Sequence, residues 1–163
     1  MNAIVSGGVA SVAGMAVPYK ICIDCADPHR LAAFWADAMG YVVEDYSTFI
    51  RSLLDAGRVT EEHVTTVDGR LAWRHAAGAR DPDGPVDEFT GIGQAGRVLF
   101  QVVPEAKTVK NRVHLDLHVG ADQRAATVER LTGLGGQVLY EKEEFGSSWV
   151  TMADPEGNEF CVV

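Results

Sequence analysis

The chain has 163 residues with a formal net charge of −9, and 47% of the residues are hydrophobic. This composition is typical of one globular domain, and the apolar runs are far shorter than the roughly 20 residues that span a bilayer. An acidic surface repels phosphate backbones, so we expect neither nucleic acid nor a membrane as a partner.

Residues 1–17 are rich in Gly, Ala, Ser and Val and lack the basic region and continuous apolar core of a secretory signal. We therefore predict a flexible N-terminal tail and a cytoplasmic protein. The three cysteines are an odd number without a paired framework, although Cys22 and Cys25 have C-x-x-C spacing. Because a zinc site needs four ligands and a redox motif favours the start of a helix, buried reduced thiols are the preferred interpretation.

The first predicted elements are a strand over 19–25 and a helix that starts after Asp27. Aspartate is a good N-cap, Pro28 suits the first helical position, and Gly40 ends the helix. Apolar and β-branched residues then predict three further strands, over 41–44, 69–77 and 97–103. The first unit therefore runs strand, helix, strand, strand, strand.

The same order of elements returns about 95 residues later. Asp122 opens the second helix, because aspartate favours the start of a helix. The strands of this second unit are predicted over 112–119, 137–140, 149–153 and 159–163. A D-P-x-G turn lies late in each unit, at 81–84 and at 154–157, which supports the repeat.

The repeat predicts one α+β domain over 18–163, built from two βαβββ modules related by a pseudo-two-fold repeat. Module one covers 18–104 and module two covers 111–163. Two stretches of module one, near 47–68 and 85–96, break the repeat and are interpreted as insertions. Long ordered insertions are often lids or subunit contacts, and a solvated decoration explains them equally well.

Four motifs follow one another along the chain: Asp27-Pro28 with 31–35, Phe100-Gln101 with 103–107, then 111–117, and finally 154–160. Together they resemble the vicinal-oxygen-chelate superfamily, and specifically its glyoxalase-like branch. The resemblance implies that the sheets of the two modules form an open mixed-sheet barrel around a pocket for a small molecule. It also implies that a second copy often completes this barrel, so we expect a homodimer.

Many members of this superfamily hold a divalent metal on the first and last strands of each module. The resemblance places these four positions at Lys20, Gln101, His114 and Cys161. Of the four, His114 matches the usual ligand, whereas a lysine ammonium has no lone pair and repels a divalent ion. We therefore expect no tightly held metal, and His114 with Cys161 are the candidates for one.

Alternation along 112–119 places His114, Asp116 and His118 on one face of a strand. The resemblance turns this face and Lys20 towards the barrel interior. Our hypothesis is an acid-base site in which His114 accepts a proton, Asp116 or Asp24 orients it, and Lys20 stabilises a developing oxyanion. The other pocket residues expected on this surface are Asp24, Gln101, His118, Trp149, Glu159 and Cys161.

These residues support two functional hypotheses. The first is a glyoxalase-like enzyme, a lyase or isomerase that acts on a small carbonyl-containing metabolite by proton transfer. The second is a non-catalytic protein that binds or sequesters a drug-like molecule, as the bleomycin-resistance members do. A satisfied ion-pair network explains the same charged residues without a function. The glycines at 91–96 lack the flanking strand and helix of a phosphate-binding loop, so no nucleotide cofactor is expected.

Overall fold

The computed structural model describes residues 19–163, so the tail predicted at 1–17 lies outside the described residues. The helices of the described part are α1 (Pro28–Met39), α2 (Ser47–Asp55) and α3 (Ala121–Gly133), with a 3-10 turn at Glu61–His63. The strands are β1 (Ile21–Cys25), β2 (Val42–Val43), β3 (Val64–Val67), β4 (Arg70–Trp73), β5 (Ala76–Arg80), β6 (Arg97–Val102), β7 (Asp116–Leu117), β8 (Gln137–Glu144), β9 (Ser147–Ala153) and β10 (Glu159–Val162). None of the described helices combines the length and hydropathy needed to cross a membrane.

Helix α1 begins and ends where the sequence predicts. The Asp27 side chain accepts hydrogen bonds from the backbone N–H groups of His29 and Arg30, and Pro28 occupies the first helical position. Gly40 closes the helix in the left-handed region at φ 68°, where a glycine has no steric penalty. These local signals need no tertiary partner, which is why the prediction is confirmed.

Two four-stranded sheets repeat one topology. The first sheet has the order β1-β6-β5-β2 and the second has the order β7-β10-β9-β8. In each sheet the first strand pairs in parallel with the last strand of the module, and the other pairs are antiparallel. The sheets are mixed and form no closed barrel among the described residues, which confirms the predicted α+β repeat.

The single strand predicted over 69–77 is wrong, because the chain divides there into β4 and β5. Strand β4 folds back on β3 to form a separate two-stranded sheet. Asp68 and Gly69 make the tight turn between them, both with positive φ (48° and 76°). An Asp-Gly pair between two β-rich segments is a strong hairpin signal, so the sequence did contain the information that separates the two strands.

The second module also differs in the extent of its strands. The strand expected over 112–119 pairs only at Asp116–Leu117. Strand β8 continues beyond the predicted residue 140 to Glu144 and turns into β9 through Phe145 and Gly146, both with positive φ. All eight residues of β8 are exposed, so this hairpin projects from the edge of its sheet.

The two modules share one hydrophobic core between the helices and the sheets. Trp35 of α1 packs edge-to-face against Phe160 of β10, with ring centroids 5.1 Å apart. The Trp35 indole N–H also donates to the buried Asp154 carboxylate at 3.1 Å. A residue of the first module therefore depends on the turn before the last strand of the second module for both packing and hydrogen bonding.

Candidate functional site

The first cavity lies on the face of the second sheet that is turned away from α3. Side chains alternate along a strand, so Phe160 and Val162 enter the core while Cys161 points to the opposite face. That face, which we call the second-module face, holds a pocket of about 390 Å³. Its lining residues are Lys110, His114, Asp116, His118, Tyr140, Trp149, Thr151, Glu159, Phe160, Cys161 and Val163.

The equivalent face of the first sheet is filled by its own chain. The buried carboxylate of Glu44 lies directly over Gly78 of β5, and a Cβ atom at Gly78 would overlap it. Arg97 donates from Nε to Glu44 Oε1 at 2.8 Å, Tyr46 donates its hydroxyl to Glu44, and the Gly93 N–H donates to Oε1 at 2.7 Å. Residues that follow β2, the first residue of β6 and the 85–96 insertion thus fill this face of the first sheet.

A larger cleft of about 870 Å³ follows the seam between the two modules. Strand β1 contributes Cys22 and Asp24, and the segment that connects the modules contributes Glu105 and Lys107. This seam cleft shares His114 and Glu159 with the pocket on the second-module face. His114 therefore stands at the junction of the two cavities.

Three side chains with different chemistry meet on the second-module face. His114 Nε2 lies 3.4 Å from Asp116 Oδ1, and both side chains are about half exposed (45% and 46%). Cys161 is buried between them and Thr151, with Sγ 3.7 Å from Thr151 Oγ1. One ligand atom from each of His114, Asp116 and Cys161 lies within 4.8 Å of the others, and we call these residues the His–Asp–Cys group.

The Cys161 thiol of this group is held in its protonated form. Burial raises its pKa, and the negative charge of Asp116 raises it further, although Thr151 and Lys110 act in the opposite direction. A thiol with a raised pKa is a poor nucleophile at neutral pH. The group therefore favours proton transfer by the imidazole over attack by the sulfur.

Glu159 lines both cavities but is already fully engaged. Its carboxylate accepts the Asn111 N–H at 3.0 Å and pairs with the Lys107 ammonium at 3.1 Å. Burial opposes ionisation of this group, but these two partners outweigh it and lower the pKa of Glu159 to about 2. Glu159 is thus an anchor for the connector between the modules and not a proton acceptor.

Lys20 and Gln101 do not join the His–Asp–Cys group. Lys20 lines a separate groove beside Tyr41 and Gly96, and it lines neither the seam cleft nor the second-module pocket. Gln101 accepts a weak hydrogen bond from the Cys22 thiol at 3.5 Å and lines neither cavity. The role predicted for Lys20 therefore lacks the shared cavity that it requires.

The strand register shows that Lys20 and Gln101 are not the counterparts of His114 and Cys161 together. Cys161 pairs with Asp116, which is two residues after His114. Gln101 pairs with Asp24, which is two residues after Cys22. The backbone bonds from Val103 N–H to the Cys25 oxygen and from Val163 N–H to the Leu117 oxygen match these two pairs. Gln101 is therefore the counterpart of Cys161, and the counterpart of His114 is Cys22 and not Lys20.

The donor set of the His–Asp–Cys group nevertheless fits a zinc-type cation. Imidazole, carboxylate and thiolate are the three kinds of zinc ligand in proteins, and three protein ligands with an open position are typical of catalytic zinc. The third donor of this set is Asp116, a residue of the second module that was not among the four expected metal positions. The sequence predicts Asp116 only as a partner of His114, because the register between β7 and β10 is not visible in the sequence.

Glu156 positions elements around the site although it does not belong to the His–Asp–Cys group. Glu156, in the turn before β10, accepts the backbone N–H groups of Ala26 and Asp27 at 2.7 Å each. This contact fixes the exit of β1 and the start of α1 against the second module. The sequence marks Glu156 only as part of a D-P-x-G turn, and the partners lie 129 and 130 residues away.

The C-x-x-C pair has the character of two separate thiols. Cys22 is exposed and Cys25 is buried, as expected for residues three apart on one strand. Each thiol donates to Gln101, Cys22 to the side-chain oxygen and Cys25 to the backbone oxygen. Burial raises the pKa of Cys25 to about 12, which makes it inert, and all three cysteines are free.

The paired modules and the site between them define a protein of the vicinal-oxygen-chelate superfamily. Within it, the chain belongs to the glyoxalase-like domain family, whose model matches residues 20–163. This confirms the resemblance drawn from the four motifs. A comparison with curated proteins finds no significant match.

Solved structures share the fold at low sequence identity. A hypothetical protein from S. aureus has a TM-score of 0.54 at 16% identity, covering 91% of this chain and 94% of that chain. A glyoxalase/bleomycin resistance protein/dioxygenase family enzyme from Burkholderia phytofirmans PsJN has a TM-score of 0.54 at 13% identity, with coverages of 88% and 94%. A mutant of the fosfomycin resistance protein FosX from Listeria monocytogenes, complexed with Mn(II) and 1S,2S-dihydroxypropylphosphonic acid, has a TM-score of 0.52 at 10% identity, with coverages of 93% and 89%.

Proposed function

We propose that this protein acts on a small carbonyl-containing metabolite, as a lyase or isomerase, by proton transfer through His114. The observation that carries the proposal is the contact between His114 Nε2 and Asp116 Oδ1 at the junction of the two cavities. Both side chains are half exposed, so a ligand in either cavity reaches the imidazole without displacing the core.

His114 accepts the proton on its free ring nitrogen, and Asp116 stabilises the imidazolium that forms. The negative charge that develops on the carbonyl oxygen needs a cation nearby. Lys110 lines the same pocket as His114, and it takes the role that the sequence analysis had assigned to Lys20. A divalent cation held by His114, Asp116 and Cys161 would instead supply a Lewis acid for that oxygen.

The test is exchange of the α-proton of carbonyl compounds in D₂O, followed by ¹H NMR. A panel of 2-ketoacids, 2-ketoaldehydes and α-hydroxyketones serves as the probe. His114→Ala is expected to slow exchange by about 10²- to 10⁴-fold, the range that a general base contributes. His75→Ala is the matched control, because His75 is exposed and lines neither cavity. Equal exchange by both variants, or none by the unmodified protein, counts against the proposal.

A second candidate function is binding without turnover. The observation that favours it is the pair of aromatic side chains on the second-module face, Trp149 and the half-exposed Tyr140. Such walls hold a flat or apolar molecule by contact alone. A compound that raises the melting temperature strongly and is recovered unchanged supports binding, whereas its conversion supports the enzyme.

We also propose that the protein is a cytoplasmic homodimer. The support is strand β8, an exposed sheet edge that carries Val138, Leu139 and Tyr140 at 46%, 46% and 50% exposure. An apolar edge of this kind is commonly covered by a partner. Light scattering of the purified chain measures the mass directly, and a monomer at micromolar concentration would contradict this proposal.

A further inference from the structure

We propose that the substrate is a 2-ketoacid with an apolar side chain, bound on the second-module face with its acid end beside β7 and its apolar end over β9. This substrate class rests on the proposed function, in which His114 is the base. The observation that carries it is a change of polarity across the sheet, from charged side chains at one side of the pocket to aromatic side chains at the other.

The strand register gives the order of the side chains across this face. Cys161 of β10 pairs with Asp116 of β7 on one side and with Thr151 of β9 on the other. Thr151 in turn pairs with Tyr140 of β8. Directly paired residues share a face of a sheet, so one row runs from a carboxylate through a buried thiol and a buried hydroxyl to an aromatic ring. Polarity therefore decreases from β7 towards β8.

The polar side of the pocket offers a cation to an anionic ligand. Within residues 19–163, Lys110 forms no ion pair, whereas Asp116 contacts His114 and Glu159 is paired with Lys107. The ammonium of Lys110 lies close enough to the sulfur of Cys161 to act on the pKa of that thiol, in the downward direction. A carboxylate bound beside β7 therefore neutralises the charge that the protein leaves uncompensated in this pocket.

A 2-ketoacid suits both Lys110 and His114. Its carboxylate and keto oxygens lie on adjacent carbons, so one ammonium can donate to both. His114 removes a proton from the carbon on the other side of the keto group, the electron pair of that C–H bond forms a C=C bond, and the carbonyl π pair moves to the oxygen beside Lys110. Return of a proton or deuteron from the imidazole restores the ketoacid, so the exchange needs no oxidant and no second reactant.

The apolar side of the pocket suits the side chain of the ketoacid. Trp149 is partly buried and lines the pocket together with Val163 and Tyr140. Lys142 lies 5.6 Å from the centroid of the Trp149 ring and is paired with Glu144, so the ammonium nearest to this wall is already neutralised. A small polar dicarbonyl leaves the wall in contact with water, whereas an apolar side chain covers it.

Exchange of α-protons in D₂O with three probes tests the two ends of the ligand separately. 2-Ketobutyrate and 2-ketooctanoate differ by four methylenes, and 2-octanone has a methyl group in place of the carboxylate of 2-ketooctanoate. Burial of a methylene contributes up to about fourfold, so kcat/KM is expected to be about 10²-fold higher for 2-ketooctanoate than for 2-ketobutyrate. 2-Octanone is expected to react about tenfold more slowly than 2-ketooctanoate, the effect of one lost hydrogen bond between charged groups.

Variants assign these two ratios to residues. Trp149→Ala is expected to lower the ratio between the long and the short ketoacid to about tenfold or less, and Trp149→Phe is expected to restore it. Lys110→Gln is expected to bring 2-ketooctanoate and 2-octanone to nearly equal rates. Lys20→Gln is the matched control, because Lys20 is exposed and lines a separate groove, and both ratios are expected to persist in it.

Titration calorimetry reads binding independently of turnover and separates the two proposals. Binding of 2-ketooctanoate that weakens in Trp149→Ala and in Lys110→Gln, without exchange of any probe, supports this ligand class while the proposed function fails. Exchange without preference for the long chain or the carboxylate supports the proposed function and overturns the substrate class. Persistence of both ratios in the folded variants also overturns it. Near-ultraviolet circular dichroism checks folding, and the half-exposed Tyr140 provides Tyr140→Ala should Trp149→Ala fail to fold.

Discussion

The two modules have one topology but treat their helix-free faces in opposite ways. In the first module, Gly78 leaves room for the Glu44 carboxylate, and Arg97 and Tyr46 complete a buried network over the sheet. In the second module, the residue that pairs with Cys161 is Thr151, and the space above it is a pocket. The comparison teaches that duplication supplies two equivalent surfaces and that insertions decide which of them stays available to a ligand.

The helices that cover the other faces of the two sheets also differ, because α1 is more deeply buried than α3. Helix α1 buries seven of its 12 residues, whereas α3 buries only Thr127 and Leu131 of its 13. The first module is therefore closed on both faces of its sheet, and the second is open on one face and thinly covered on the other. We infer that the first module provides rigidity and the second provides access.

The largest expected loss of stability comes from breaking the buried ion pair between Arg97 and Glu44 in the first module. Arg97→Met leaves the buried Glu44 carboxylate without its partner, so the free energy of unfolding is expected to fall by about 3–5 kcal/mol. Arg70→Met is the matched control, because its pair with Asp45 is exposed and contributes at most about 1 kcal/mol. Urea denaturation measures both, and an equal, small loss would mean that the network does not stabilise the first module.

The two D-P-x-G turns provide the next comparison. Asp154 is buried and accepts hydrogen bonds from Trp35, Asn158 and the Glu156 N–H, so Asp154→Ala is expected to cost about 3 kcal/mol. Among the described residues, the side chain of its first-module counterpart Asp81 accepts only the Asp83 N–H, and Asp81→Ala is expected to cost about 1 kcal/mol. Thermal unfolding distinguishes them, and a reversed order would show that the turns do not anchor the modules as described.

The ion pair between Lys107 and Glu159 is expected to make the free energy of unfolding depend on pH in the acid range. Because the pKa of Glu159 is lowered to about 2, its stabilising effect is complete above the ordinary value of 4.5 and disappears as pH falls towards 2. Lys107→Met is expected to cost about 1 kcal/mol at pH 7 and clearly less at pH 2.5. Lys142→Met removes an exposed pair with Glu144 as a control, and a loss that is independent of pH would contradict the assignment.

The smallest expected effect comes from the hairpin turn between β8 and β9, and it is a gain and not a loss in the free energy of unfolding. Phe145 is fully exposed with φ 51°, whereas the equivalent turn position between β3 and β4 is Asp68. Phe145→Asn is expected to stabilise the protein by about 0.5–1 kcal/mol, since asparagine tolerates the left-handed region. Differential scanning calorimetry checks this, and a decrease in melting temperature would indicate that Phe145 makes a stabilising contact with a second copy.

Local chemistry made much of this fold predictable. The ends of α1 follow from Asp27, Pro28 and Gly40, and the repeat of elements gave the paired modules. The closed face was not predictable, because Glu44 resembles the end of an ordinary strand and its partner Arg97 is 53 residues away. Only the packed structure shows that the two side chains are buried together.

The site was predictable in part for a similar reason. Alternation on one strand placed His114 and Asp116 side by side, which is a local property. The match of Lys20 to His114 disagrees with the strand pairing, because Gln101 pairs with Asp24 as Cys161 pairs with Asp116, and the residue two positions before Asp24 is Cys22. Lys20 lies just before the first residue of β1, so its side chain belongs to another groove.

The double contact of Glu156 with Ala26 and Asp27 joins the two modules and has a consequence for how the chain can be divided. Neither half of the present chain is self-sufficient, because the two halves share one hydrophobic core and the buried Trp35 indole of the first half needs Asp154 of the second as its acceptor. A gene for either half expressed by itself should yield insoluble material, and mixing the two fragments should restore solubility. The two modules are thus repeated in topology but depend on each other for stability through Asp154 and Glu156.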